Sequence, residues 1–213
     1  MRIEVISANY GGKDFPIKQD YPVTMFVDVY DKFKDPRRNS RVHKILIHKY
    51  SKADVTIWID ANMKLLISPE ELVNKYLGDY DMAVFNHGGR DCIYDEAMEV
   101  AKLGLDDVEL IIEQAKYYED NEYPKHRGLA QGGIIIRRNN EKTQAFNEAW
   151  WADYCRFSRR DQLSLMPAID KIGLRVNFIP EGWIQYMDCA VIGNAVSIVS
   201  HKNYEGNFNG QKT

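Results

Sequence analysis

The sequence predicts an α/β fold in which helices flank a mixed, mostly parallel β-sheet in a single domain. Apolar β-branched runs alternate along the chain with segments of helical periodicity, which is typical of α/β sandwiches. The run at 55–59 is almost wholly apolar, as in a strand buried on both faces. A chain of 213 residues, 45% of them hydrophobic, can form one substantial core.

Seven strands are predicted from short apolar runs bounded by turn residues. In chain order they cover 3–7, 23–27, 55–59, 82–85, 132–137, 176–179 and 195–199. The segment 9–12 ends the first strand and Asp28 ends the second. Because ligands of such sheets bind outside the carboxyl ends of the strands, we expect the functional residues to follow strands directly.

Helices are predicted between the strands, where apolar residues recur three and four positions apart. In chain order they cover 40–49, 69–77, two segments within 94–119, 140–157 and 161–172. The clearest beginning is Ser68, a capping residue followed by Pro69 and two acids. We expect residues 1–205 to form the domain, with the polar tail 206–213 as a frayed end or the start of a linker.

Composition excludes several classes of protein. There are 28 Lys and Arg against 31 Asp and Glu, a formal net charge of −3, so no basic excess favours nucleic-acid binding. No apolar run approaches the roughly 18–20 residues of a membrane span. Cys92, Cys155 and Cys189 are widely spaced, which favours neither a disulfide framework nor a structural zinc site. These features predict a cytoplasmic protein, in the host cytoplasm if it is viral.

Four standard catalytic motifs are absent. The sequence has no G-x-x-x-x-G-K-[ST], no G-x-G-x-x-G, no H-E-x-x-H and no G-x-S-x-G. Their absence argues against P-loop ATPases, dinucleotide-binding dehydrogenases, zincins and ordinary α/β-hydrolases.

The strongest local feature follows the buried strand at 55–59. Asp60 leaves the strand at its carboxyl end, and Asn62 supplies a second oxygen two residues later. Mn²⁺ and Mg²⁺ prefer such oxygen ligands and take the remainder from substrate phosphates. An Asx-turn that closes the strand would use the same residues, so the motif alone leaves both interpretations open.

Other charged residues also have two interpretations. Arg41, Lys44 and His48 share one helix face, which could meet a diphosphate or be a solvated basic surface. Asp161 could act as a general base or stabilise the N-terminus of its helix. His201 could bind a metal ion or be exposed to solvent.

Taken together, these residues resemble a GT-A-type glycosyltransferase, in particular the glycosyltransferase-like family of plant Golgi proteins, microbes and large viruses. The resemblance covers about residues 20–165 and agrees in order and spacing as well as residue type. It is carried by the segments 26–28, 41–48, 57–62, 87–96, 128–137 and 150–162. It implies a GT-A-like, Rossmann-like fold, and the chain's size and polar end suit the first domain of a viral multidomain enzyme.

The resemblance implies transfer of a hexosyl or deoxyhexosyl group from a UDP-linked nucleotide-sugar donor to a saccharide acceptor, with inversion at the anomeric carbon. Asp60, Asn62 and His201 would bind Mn²⁺ or Mg²⁺, although Asn62 replaces the usual second acid and leaves strict metal dependence open. The other implied roles are base and ribose binding by Asn9, Tyr10 and Asp28, diphosphate binding by Arg41, lining of the acceptor side by Gly132 and Gly133, and base catalysis by Asp161. We expect a monomer or part of a longer multidomain chain.

Three other functions remain compatible with the sequence. The first is a GT-A-like domain that binds a nucleotide or glycan without turnover, suggested by Asn62. The second is a nucleotidyltransferase, although the segment 9–13 is only a faint version of its phosphate loop. The third is a non-enzymatic assembly domain with the helix of Trp150 and Trp151 as its interface.

Overall fold

The computed structural model describes residues 1–12, 14, 17–180, 183–186, 189–192 and 196–199. The strands are β1 (Ile3–Ala8), β2 (Thr24–Phe26), β3 (Val55–Ile59), β4 (Met63–Leu65), β5 (Met82–Asn86), β6 (Ala130–Arg138), β7 (Val176–Ile179), β8 (Trp183–Tyr186), β9 (Cys189–Ile192) and β10 (Val196–Val199). The helices are α1 (Pro36–Ile45), α2 (Pro69–Tyr76), α3 (Ile93–Lys102), α4 (Val108–Asp120), α5 (Glu141–Arg156) and α6 (Gln162–Ile172), with a 3₁₀ turn at Ile47–Lys49. None of the described helices is both long and apolar enough to cross a bilayer.

A six-stranded sheet in the order β2-β1-β3-β6-β5-β7 forms the centre of the molecule. The β1–β2, β1–β3 and β5–β7 pairs are parallel, whereas β6 runs antiparallel to both β3 and β5. The prediction of a mixed, mostly parallel sheet flanked by helices is therefore confirmed. The antiparallel direction of β6 has a consequence for the site, because its first residues lie beside the carboxyl ends of β3 and β5.

Strand β3 is buried on both faces, as its composition predicts. Trp58 packs into one apolar core with Ile45 of α1 and Trp150 of α5. Its neighbours Ile57 and Ile59 point to the opposite core, which includes residues of α2. Alternate side chains of one strand thus join two cores, and this fixes the position at which Asp60 leaves the sheet.

Helix α1 begins and ends four residues earlier than the predicted segment 40–49. Its N-terminus is set by Asp35, whose side chain accepts a hydrogen bond from the backbone of Arg37 across Pro36. At the other end, the buried Arg137 guanidinium donates to the carbonyl oxygens of Lys44 and Ile45. Because the last carbonyls of a helix lack partners within it, Arg137 stabilises the C-terminal turn of α1, which contains Lys44.

A second sheet, in the order β4-β10-β9-β8, is antiparallel throughout. The predicted strand at 195–199 is confirmed as β10, whereas β4, β8 and β9 were not predicted. Strand β4 has three residues and pairs with β10, so this sheet begins three positions after Asp60. The predicted domain boundary after residue 205 and the tail 206–213 lie outside the described residues.

Candidate active site

Four charged side chains from three elements of the chain meet at the carboxyl edge of β3. Arg41 and Lys44 come from α1, Asp60 follows β3, and Asp161 directly precedes α6. The Lys44 ammonium forms an ion pair with Asp161 Oδ2, and Arg41 Nε lies 3.3 Å from the same oxygen. Lys44 Nζ also lies 4.0 Å from Asp60 Oδ1. The structure therefore brings together three residues predicted for the site, with Lys44 as a fourth member.

Lys44 is the most deeply buried charge of this cluster, with a side chain 2% exposed. Its ammonium lies 6.0 Å from the centres of the Trp58 and Trp150 rings. A side chain at Gly132 would begin 2.9 Å from Lys44 Nζ, so the glycine makes room for the ammonium. Burial lowers the pKa of Lys44, while the charges of Asp161 and Asp60 raise it.

Asp60 is held by both its backbone and one carboxylate oxygen. Its N–H donates to Gly133 at 2.8 Å, and its carbonyl accepts from Met63 at 2.9 Å, which closes the turn into β4. The Trp58 indole N–H donates to Asp60 Oδ1 at 2.8 Å. Both Lys44 and Trp58 therefore approach Oδ1, and Oδ2 accepts no hydrogen bond from the described part of the chain.

Asp161 directly precedes α6, but its side chain makes no capping hydrogen bond to that helix. Its backbone carbonyl accepts from the Trp150 indole at 2.9 Å, while its carboxylate faces α1. Burial alone would raise the pKa of Asp161, but the nearby Lys44 and Arg41 charges lower it to about 2. The carboxylate is thus ionised at neutral pH.

Arg41 completes the charge balance of the cluster. Burial would lower the pKa of its guanidinium, but Asp161 and Asp60 raise it above its ordinary value. Two positive and two negative side chains therefore share the site. Of the three basic residues predicted to share a face, Arg41 and Lys44 lie in this cluster, whereas His48 contacts Glu148 on α5.

Gly133 also has a packing role in the structure. A Cβ atom at this position would overlap Met63 Cε and lie 3.6 Å from Asp60 Oδ2. The two glycines of β6 therefore admit the Lys44 and Met63 side chains beside the cluster. Their predicted role in lining the acceptor side stays a prediction.

Two residues predicted to bind the base and ribose organise the loop that follows β1. The Asn9 amide donates to the Asp14 carbonyl at 3.0 Å and accepts from the Asp14 N–H at 3.3 Å. Asp28 accepts from the Gly11 N–H at 2.9 Å and itself has a positive φ of 48°. The loop is thus held at the carboxyl ends of β1 and β2, where the predicted nucleotide site would lie.

Tyr10, the third of these residues, is buried against α1. Its hydroxyl lies 2.7 Å from His43 Nε2, and the Phe26 ring stacks on the His43 imidazole at 3.9 Å. Burial lowers the pKa of His43 to about 4, so this imidazole is neutral at physiological pH. The contact between Tyr10 and His43 was not predicted, because it depends on how α1 packs on the sheet.

The other two predicted metal ligands are Asn62 and His201. Asn62 is buried in the turn that follows Asp60, and its part in metal binding stays a prediction. His201 lies outside the described residues. A further polar residue at this edge is His87, which follows β5 and whose Nδ1 accepts from the backbone of Gly89 and Arg90.

Comparison with known proteins matches this chain to a family. A family model described as TOD1/MUCI70, glycosyltransferase-like domain, matches residues 24–191. The chain is 26% identical over 168 residues to the probable hexosyltransferase MUCI70 of Arabidopsis thaliana, covering 74% of this chain and 28% of that protein. It is 25% identical over 156 residues to the alkaline ceramidase TOD1 of the same plant, covering 68% and 34% of the two chains.

The chain thus spans about a third or less of the length of these curated relatives. Among solved structures, the apo form of the WbbM bifunctional glycosyltransferase is similar with a TM-score of 0.45 and 12% identity, over 84% of this chain and 39% of that one.

Proposed function

The chain belongs to the TOD1/MUCI70 family of glycosyltransferase-like domains, and from this premise we propose that it transfers a sugar from a nucleoside-diphosphate sugar to a saccharide hydroxyl. The donor we propose is a UDP-linked hexose or deoxyhexose, and the reaction inverts the anomeric carbon. The cluster of Arg41, Lys44, Asp60 and Asp161 at the carboxyl edge of the sheet is the observation on which the proposal depends.

The donor diphosphate would lie against Asp60 and Arg41. Asp60 is suited to a divalent cation, because Trp58 and Lys44 both approach Oδ1 and leave Oδ2 available as a ligand. Substrate phosphates can supply the further oxygen ligands. Asn62 and His201 are its proposed further ligands. A Mn²⁺ or Mg²⁺ ion bound there would offset the negative charge of the leaving diphosphate. Arg41 supplies a protein charge for the same purpose, independent of any ion.

Asp161 is the proposed base for the acceptor hydroxyl, subject to one condition. With a pKa of about 2 it accepts protons poorly while Lys44 and Arg41 neutralise it. A diphosphate that draws either cation toward itself would remove part of that stabilisation and raise the pKa of Asp161. Donor binding would therefore prepare the base, and the acceptor would react only in the complex with donor.

The first test is isothermal titration calorimetry with UDP, GDP and CDP, each with and without Mn²⁺. We expect one diphosphate to bind, and its affinity to fall when Mn²⁺ is omitted or Asp60 is replaced in Asp60→Ala. The matched control is Asp20→Ala, which removes an exposed carboxylate paired with Lys64. Binding that ignores both Mn²⁺ and Asp60 would contradict the metal assignment, and no binding of any diphosphate would contradict the donor class.

The second test separates transfer from its alternatives. The protein is incubated with the nucleotide sugar of the diphosphate that binds, a panel of oligosaccharides and, because one relative is named an alkaline ceramidase, a ceramide. We expect a glycosylated product with an inverted anomeric configuration by NMR. Nucleotide binding without donor hydrolysis or transfer would indicate a non-catalytic binding domain, and retention of configuration would rule out the single displacement assigned to Asp161.

A further inference from the structure

A second group of polar side chains lies between the end of β5 and the start of β6. Cys92, Asp95 and His126 each offer one possible ligand atom, and these atoms lie within 4.8 Å of one another. None of them belongs to the Arg41–Asp161 cluster. The thiol, carboxylate and imidazole are three classes of metal ligand brought together from two separate parts of the chain.

The local structure explains how these residues meet. Cys92 is the residue that precedes α3, and Asp95 lies in the first turn of that helix. His126 belongs to the segment between α4 and β6, and it has a positive φ of 55°. The Gly128 N–H donates to the Asp91 carbonyl at 2.8 Å, which fastens this segment to the start of α3.

Cys92 is buried, with 1% of its surface exposed, yet its thiol does not cap α3 and makes no hydrogen bond to the described residues. A buried free cysteine often acts only as a small apolar side chain. Here, however, a carboxylate oxygen and an imidazole nitrogen lie within 4.8 Å of the thiol sulfur.

Asp91 provides a second observation. His126 Nδ1 lies 2.8 Å from Asp91 Oδ1, and because a carboxylate only accepts, Nδ1 carries the proton. In the neutral ring the lone pair is then on Nε2, where a metal can bind. Metal-ligating histidines commonly donate their other ring N–H to a carboxylate in this way.

From this arrangement we infer that Cys92, Asp95 and His126 bind a divalent ion of the zinc class, with Asp91 as the orienting partner of His126. A thiolate, a carboxylate and a neutral imidazole carry a total charge of −2, which a Zn²⁺ ion balances. Sulfur and nitrogen ligands select zinc over Mg²⁺ or Mn²⁺, so this ion differs from the one proposed at Asp60. Three protein ligands leave a fourth tetrahedral position for water.

Binding requires only a modest contraction of the group. Zinc bonds of about 2.0–2.3 Å place tetrahedral ligands roughly 3.3–3.8 Å apart, compared with the present limit of 4.8 Å. The Cys92 S–H bond breaks as the sulfur binds the metal, and its proton passes to the buffer. The ion would join the β5–α3 connection to the segment that leads into Gly132, so it would stabilise one wall beside the proposed acceptor region.

The test is titration of chelator-treated protein with Co²⁺, followed by displacement with Zn²⁺. We expect one Co²⁺ per chain, a thiolate-to-cobalt charge-transfer band, and release of about one proton, measured by calorimetry in buffers of different ionisation enthalpy. Cys92→Ser should abolish the band, and Asp91→Asn should weaken affinity about 10–100-fold. Cys155→Ser is the matched control, because Cys155 is an exposed free thiol on α5.

Two further variants separate loss of the metal site from unfolding and from loss of the proposed sugar transfer. His126 is exposed, so His126→Gln should retain the fold, checked by circular dichroism, and lose at least tenfold in affinity. Asp60→Ala should retain the charge-transfer band, which makes this test independent of the proposed sugar transfer. The inference is overturned if Co²⁺ gives no thiolate band, or if folded Cys92→Ser and His126→Gln bind it as wild type does.

Discussion

A Cβ atom at Gly132 would lie 2.9 Å from the Nζ atom of Lys44, so any larger residue there would force the ammonium that pairs with Asp161 to shift. Gly132 has no positive φ in the structure, and the requirement for glycine is therefore one of volume. The residue that sequence inspection assigned to the acceptor side also governs the charge arrangement of the site.

Gly132→Ala should therefore reduce activity with little change in fold. The added methyl group would push the Lys44 ammonium from Asp161, and we expect a tenfold or larger loss of kcat/KM with a stability loss of about 1–3 kcal/mol. The control is Gly89→Ala, whose methyl group would meet His87 only at an ordinary contact of 3.7 Å. Equal activity of Gly132→Ala and wild type would contradict this role of Gly132.

Lys44→Met should destabilise the protein and change the titration of Asp161. Breaking a buried ion pair costs about 3–5 kcal/mol, here measured by urea denaturation at pH 7. With its nearest cation gone, Asp161 should titrate at a higher pH, which NMR of its carboxyl carbon would follow. Lys49→Met, which removes an exposed partner of Glu148, should change stability by less than about 1 kcal/mol.

Acid should remove the contribution of Asp161 to stability. Its pKa falls from an ordinary 3.8 to about 2 in the folded protein, so the stabilisation is complete above about pH 4 and is lost as the pH falls toward 2. At about 1.4 kcal/mol per pKa unit, the loss is roughly 2 kcal/mol. The measurement is the free energy of unfolding of wild type and Asp161→Asn between pH 2 and pH 5. The difference in unfolding free energy between the two proteins should shrink by this amount as the pH falls toward 2. If the two curves of unfolding free energy against pH are parallel, Asp161 makes no such contribution.

Trp58→Phe should weaken binding of the donor diphosphate while keeping an aromatic ring in the apolar core. The substitution removes the indole N–H that donates to Asp60 Oδ1 at 2.8 Å, so the carboxylate loses its fixed orientation. Loss of such an orienting contact typically costs 10–100-fold in metal affinity. Calorimetry with diphosphate and Mn²⁺ would measure it, with the half-buried Trp151 changed to Phe as control. Unchanged affinity in Trp58→Phe would show that Asp60 does not depend on this bond.

The sequence predicted β3 and the position of Asp60 well, because a continuous apolar β-branched run has few other interpretations. Lys44 was predicted only to share a helix face with Arg41 and His48, and its ion pair with Asp161 was not predicted. Its spacing from Arg41 fits a solvated basic face equally well, and the aromatic rings and carboxylate that enclose it come from β3, α5 and the start of α6. Such enclosure depends on contacts between distant segments and leaves no local pattern.

The direction of β6 and the existence of β4 also could not be predicted from the sequence pattern. The apolar run of β6 is equally compatible with parallel and antiparallel pairing to β3 and β5. The three-residue β4 is too short to show alternation, and its partner β10 is more than a hundred residues away. Both features were set by tertiary pairing, which the local apolar pattern does not encode.

The central place of β6 also affects the order in which this protein can assemble during synthesis. Strands β1, β2 and β3 form one half of the sheet, β5 and β7 form the other, and β6 is their common neighbour. A ribosome completes β1, β2, β3 and β5 well before it reaches Arg138. Until then the inner edges of β3 and β5 have no partner in the sheet, so emergence of residues 130–138 is the event that unites the two halves.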